Sequence, residues 1–250
     1  MTTTRRKAST TTSTKPVSPS EPMSAKAVLA WLEAHGTQRT IDGMARYGIE
    51  AKHAFGVTMA MLLSLAKRLG TDQALSLALW ESDWYEARLL ATLIGDPQQV
   101  TRRQMDAWAA GFENWGDCDT ACFKLFDRSP LAWSRATAWA ASRRELVRRG
   151  GFVLMACLAL HDKAADDECF LPMLPLIEEG AADERPLVAK GISWALRSIG
   201  RRNLALHAAS IDVARRLSTS DESACRWVGK DALRELSSAK VRAQLARRAR

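Results

Sequence analysis

The sequence predicts an all-α fold assembled from stacked helix pairs, and three observations carry that prediction. From Ser24 onward apolar residues recur at three- and four-residue spacing, the period of one helix face, and alternating β-branched runs are absent. Glycine and proline cut the chain into segments of about 10 to 18 residues, ordinary lengths for globular helices. Residues 187–197 echo residues 226–234, so that Lys190 and Lys230 lie about 40 residues apart, and Arg149 lies about as far before Lys190.

Taken in order, residues 1–22 are rich in Thr, Ser, Pro and Lys with almost no apolar content. Such a segment cannot bury a core and is expected as a disordered basic tail. The first helix opens after Ser24 and ends near Gly36. Further breaks are expected at Gly70, Gly95 with Pro97, Ser129-Pro130, Gly180, Gly200 and Ser218. A spacing near 40 with paired helices predicts a HEAT-like superhelix over residues 23–238, with a cationic residue recurring on a basic concave face. Residues 239–250 are basic and low in complexity and are expected as a C-terminal tail, a fraying helix outside the repeats.

Composition narrows the function. The chain has 250 residues, 47% hydrophobic and 26% charged, which suits one elongated domain or two small ones. Its net charge of +8 favours a polyanionic partner, nucleic acid before an anionic membrane. No apolar run approaches the roughly 18 residues of a transmembrane helix, and the first residues lack a secretory apolar stretch, so a cytoplasmic protein is expected. Five cysteines without CxxC spacing fit reduced thiols. Cys118 and Cys122 stand four apart with no histidine beside them; they are expected as buried small hydrophobes rather than metal ligands. No metal or cofactor is expected.

Trp115 and Asp119 are the most informative pair. Four apart on a helix, they share one face and present an aromatic surface beside one carboxylate. That suits a cationic sugar or base, because the carboxylate stabilises positive charge while the ring excludes water. Spacing alone leaves a plainer alternative, an exposed Asp119 paired with Lys124 and a Trp115 in the core. Of nine tryptophans, most, including Trp80, Trp84 and Trp139, read as core.

Several stretches, in order, carry a family resemblance. They are Gly43 to Ile49, Phe55-Gly56-Val57, Leu79-Trp80, Glu86 to Ala91, Gln104 to Trp108, Asn114 to Asp119, Arg149, Asp183-Glu184-Arg185, Lys190 to Arg197, and Gly200 to Asn203. With these, the chain resembles the AlkD-type alkylpurine DNA glycosylases, the HEAT-like DNA alkylation repair group, over roughly residues 25–238. The resemblance implies a monofunctional DNA glycosylase excising cationic N3- or N7-alkylated purines from double-stranded DNA, without flipping the lesion into a pocket. It implies that Trp115, Asp119 and Trp194 cradle the deoxyribose. It further implies that Arg149 meets the DNA backbone and that Tyr47 stands near the N-terminal end of the cleft. Lys190, Arg197, Arg201, Arg202 and Lys230 are the further candidates for phosphate contacts. A monomer is expected, and no lysine presents itself as a Schiff-base nucleophile, so no lyase step is expected.

Two departures stand out. Arg149 is followed by Gly150-Gly151, which cost roughly 1 kcal/mol each in a helix relative to alanine. They can loosen the helix or admit another backbone, and adjacent Arg148 can take the phosphate role instead. Thr58 stands where some relatives place a longer polar side chain. Two other functions remain open on sequence: a non-catalytic protein of the same fold for distorted or branched DNA, and a helical scaffold for proteins.

Overall fold

The computed structural model describes residues 23–248, so the N-terminal tail expected over residues 1–22 lies outside the described residues. The described chain is helical from α1 (Ala25–His35) to α15 (Ala239–Arg248), with no strand among the described residues. Between them run α2 (Gln38–Ala45), α3 (Met59–Leu69), α4 (Gln73–Trp80), α5 (Tyr85–Ile94), α6 (Arg102–Ala110) and α7 (Trp115–Lys124). After a 3-10 turn at Phe126–Arg128 come α8 (Ala132–Ala140), α9 (Glu145–His161), α10 (Asp167–Phe170), α11 (Met173–Gly180), α12 (Pro186–Ile199), α13 (Leu204–Ser218) and α14 (Ser223–Leu236).

Local chemistry sets these boundaries. Side chains of Ser24, Thr37, Thr58, Asp72, Thr101, Asn114 and Asn203 each accept a backbone N–H of the helix they open. Such a cap satisfies one of the donors a helix leaves unpaired at its start. Thr58 is therefore the N-cap of α3. The stops fall at the expected breakers: α3 ends before Gly70, α5 before Gly95, α12 before Gly200, and α11 and α13 end on Gly180 and Ser218.

From α4 to α14 most helices pack on a sequence neighbour and on the next pair. Helices α5, α7, α9, α12 and α14 stack as one layer, with α4, α8, α11 and α13 behind them. This is the quasi-one-dimensional order of a helical repeat. The first-layer helices begin at Tyr85, Trp115, Glu145, Pro186 and Ser223. The period is thus about 40 residues only in the C-terminal half and about 30 before it, because the earlier units are built of shorter helices.

Gly151 and Gly229 explain how two such pairs close. A Cβ on Gly151 would stand 2.3 Å from the backbone nitrogen of Ala140 in α8, and one on Gly229 equally 2.3 Å from that of Ser218 in α13. Both glycines let crossing backbones meet, and α9 runs unbroken through Gly150-Gly151 rather than loosening there. Trp80 and Trp139 are buried, and Trp84 is half-buried and stacked on Phe55. Cys118 and Cys122 are fully buried as well, and burial pushes both thiols up.

The basic C-terminal stretch differs from the tail expected of it. Val241 and Leu245, four apart, are buried as α15 packs on α14, and Arg248 donates to the carbonyls of Arg201 and Arg202. Two apolar residues on one face suffice to dock an otherwise charged helix.

Candidate functional site

The site forms where α7 meets a loop from the N-terminal end. Asn114 caps α7 by accepting from Gly116 N and Asp117 N, while the Asp117 carboxylate accepts from Glu113 N, Asn114 N and Cys118 N. Asn114 Nδ2 donates to Glu50 O at 3.0 Å, and Trp115 Nε1 donates to Tyr47 O at 3.0 Å. Glu113 accepts from Lys52 N at 3.1 Å and pairs with its ammonium. Further along that loop, the buried Glu86 carboxylate on α5 accepts from Phe55 N, Gly56 N and Val57 N. Three backbone anchors thus fix the loop that carries Tyr47 against the start of α7, and three more hold its far end against α5.

One turn further, Asp119 meets Arg149 of α9. Nε donates to Oδ1 at 2.8 Å and Nη2 to Oδ2 at 2.7 Å, a bidentate pair, while Nη1 donates to Leu187 O at the start of α12. Arg149 is 6% exposed. Burial pushes the Asp119 carboxyl up from its ordinary range, and Arg149 offsets part of that rise. Burial opposes the charge of Arg149 too, yet Asp119 leaves the guanidinium above its usual value. The two stand as carboxylate and guanidinium, each keeping the other charged. Asp119 is therefore neither an exposed helix charge nor a partner of Lys124.

Tyr47, Trp115, Asp119, Arg149, Leu187 and Lys190 line one cleft of about 500 Å³. Trp194 lies outside it. It lines an adjoining cleft of about 440 Å³ with Arg197 and Arg201, and Arg149 and Lys190 belong to both. Tyr47 is 76% exposed at the rim.

The candidate cations separate into free and committed. Arg149 spends Nε, Nη1 and Nη2 on protein acceptors and is placed as the partner of Asp119, not as an outward phosphate ligand. Arg148 points the other way, toward Thr137 and Ala140 of α8 and Leu176 of α11, and pairs with Asp183 at 3.1 Å, so the cleft does not receive it. Arg202 lies over Phe170 and donates to the carbonyls of Ala159, Asp162 and Ala165, closing the end of α9; burial lowers its pKa. Arg197 pairs with Glu235 and Asp231, and Arg201 with Glu235 at 3.1 Å. Lys190 and Lys230 are exposed and form no ion pair with a described residue. The face is less one-sidedly basic than net charge implies, since Asp231 and Glu235 answer two of its arginines. Sequence reasoning passed over these acids and Glu86, whose roles only the packing reveals.

Stacked helix pairs carrying clefts on one layer define an all-helical HEAT-like repeat protein with the fold of the HEAT-like repeat DNA glycosylases. The family model described as "DNA alkylation repair enzyme" matches residues 28–236, and the chain belongs to that family. A solved structure, described as a new family of proteins related to the HEAT-like repeat DNA glycosylases with affinity for branched DNA structures, superposes with a TM-score of 0.71. The two share 22% identity over 86% of this chain and 96% of that one, a likeness of fold. Comparison with curated proteins gives no match.

Proposed function

We propose that the protein is a monofunctional DNA glycosylase. It hydrolyses the N-glycosidic bond of cationic N3- or N7-alkylated purines in duplex DNA and leaves an abasic site. The observation that carries this reading is the Asp119 carboxylate, held by Arg149 in a cleft beside Trp115 and Tyr47. An N3- or N7-alkylated purine already bears positive charge, so the bonding electrons leave with the base and no general acid is required. Positive charge develops on the sugar, where Asp119 stabilises it, and the same carboxylate takes the proton of the attacking water. Each carboxylate oxygen gives one lone pair to Arg149 and keeps another for sugar or water. Trp115 offers its π-face to the same charge. Trp194 extends this surface from the adjoining cleft, and Lys190 and Lys230 meet phosphates. Chemistry directed at the sugar leaves no need to flip the lesion.

Two observations favour a second reading, a non-catalytic protein for branched or distorted DNA. Both Asp119 oxygens are already engaged by Arg149, and the solved relative is described by its affinity for branched DNA. Incubating the protein with methylated duplex and measuring free 3-methyladenine and 7-methylguanine separates the two. The glycosylase reading expects release, lowered roughly 100- to 1,000-fold by Asp119→Asn, the scale of one lost electrostatic stabiliser. No release, with salt-dependent binding of branched DNA retained, would establish the second.

A further inference from the structure

A third groove opens on the same layer and belongs to neither cleft described above. It measures about 540 Å³ and lies between the first turns of α12 and α14, with Pro186 and Ala189 on one wall and Ala224 and Trp227 on the other. Trp227 is 45% exposed, whereas Trp80, Trp108 and Trp139 are almost entirely buried. In the repeat register that matches Lys190 with Lys230, Trp227 takes the position that Leu187 holds beside the Asp119 cleft. A bulky ring at that position, left open to solvent, contributes little to the core.

We infer that this groove holds an unpaired nucleobase of the bound DNA, stacked on Trp227. The inference rests on the reading that DNA lies along this face. Three features select the occupant. Trp227 supplies a flat stacking surface that accepts any base. The groove carries two carboxylates: Asp183 is paired with Arg148 and Arg185, whereas Glu184 is exposed and joins no ion pair with a described residue. The Glu184 carboxylate repels a phosphate and accepts the amino edge of a base, so the base enters and the backbone stays out. Lys190 lies at the boundary, lining this groove and both clefts, where it can hold the phosphate next to the extruded base.

The test uses the full chain and two labelled duplexes of one sequence, one fully paired and one with a single bulged 2-aminopurine nucleotide. Anisotropy gives the two affinities, and 2-aminopurine emission reports stacking. The wild type should bind the bulged duplex roughly fivefold or more tightly than the paired one, the low end of one base–aromatic stack, and quench the probe. Trp227→Leu should abolish preference and quenching while paired-duplex affinity stays unchanged, and Trp227→Phe should keep part of both. Thermal melting confirms that the variants are folded. Wild-type binding without bulge preference overturns the groove's role alone, as does a Trp227→Leu variant that still quenches or that weakens both duplexes equally. Binding of neither duplex overturns the DNA-facing reading as well.

Discussion

Two acid–arginine clusters stand on the same layer, one joining α7 to α9 and the other α12 to α14, and they differ in burial. In the first, the Arg149 and Asp119 side chains are 7% and 18% exposed and the guanidinium also ties down α12. In the second, the Arg201 and Glu235 side chains are 35% and 30% exposed, with Arg197 sharing the same carboxylate. The first is largely shielded from solvent and retains an acid with unspent lone pairs at a cleft. The second ties neighbouring helices together in the presence of solvent. Similar partners therefore serve different ends, and the surrounding packing decides which.

The sharpest way to break this comparison is to remove one arginine from each cluster. Arg149→Ala strands the Asp119 charge in a buried site and should destabilise the fold by about 3–5 kcal/mol in urea unfolding. A smaller but distinctive effect comes from Asp117, two residues from Asp119 and held by backbone N–H groups instead of an arginine. Burial raises its carboxyl to about 6, outweighing the Glu113, Asn114 and Cys118 N–H donors and the charge of Arg88. The folded protein then keeps a proton that the unfolded chain has shed, so this group's contribution to stability falls as pH rises from about 4 to 6, by about 3 kcal/mol. Melting wild type and Asp117→Asn across that window should show wild-type stability falling relative to the variant as pH rises; a relative gain by the wild type would reverse the sign argued here.

Lys190 sharpens the comparison from the side of binding. It is exposed and pairs with no acid among the described residues, so its replacement by alanine should lower the salt slope of duplex affinity by about one. The smallest effect belongs to the open cluster: Arg201→Ala should cost under about 1 kcal/mol, as expected of a solvent-screened pair. Equal losses for Arg149→Ala and Arg201→Ala would erase the distinction between the clusters.

Helix limits were legible because they depend on local chemistry. Ser24 opens the first helix, Gly70 and Gly200 stop later ones, and neither function needs a distant residue. Trp115 and Asp119 were legible as a pair because both sit on α7. The partner of Asp119 was not, since Arg149 arrives from another helix 30 residues on and nothing in its neighbourhood in sequence announces an inward turn. The partners of Arg148 and Arg202 were not legible for the same reason: a cation's direction is set by the helix face it occupies and by acceptors far along the chain. Val241 and Leu245 were too sparse to reveal a docked helix before a packing surface on α14 was known.

Arg149 touches α7 through Asp119 and α12 through Leu187 while standing on α9. In a stack where each repeat rests only on its neighbours, positional slack adds up from one repeat to the next. A planar guanidinium bonded on both sides removes that slack across three successive helices at once. The gap between the Asp119 carboxylate and the start of α12 is then gauged by the span of one rigid group. Any ligand that fits this cleft meets a mouth of fixed width.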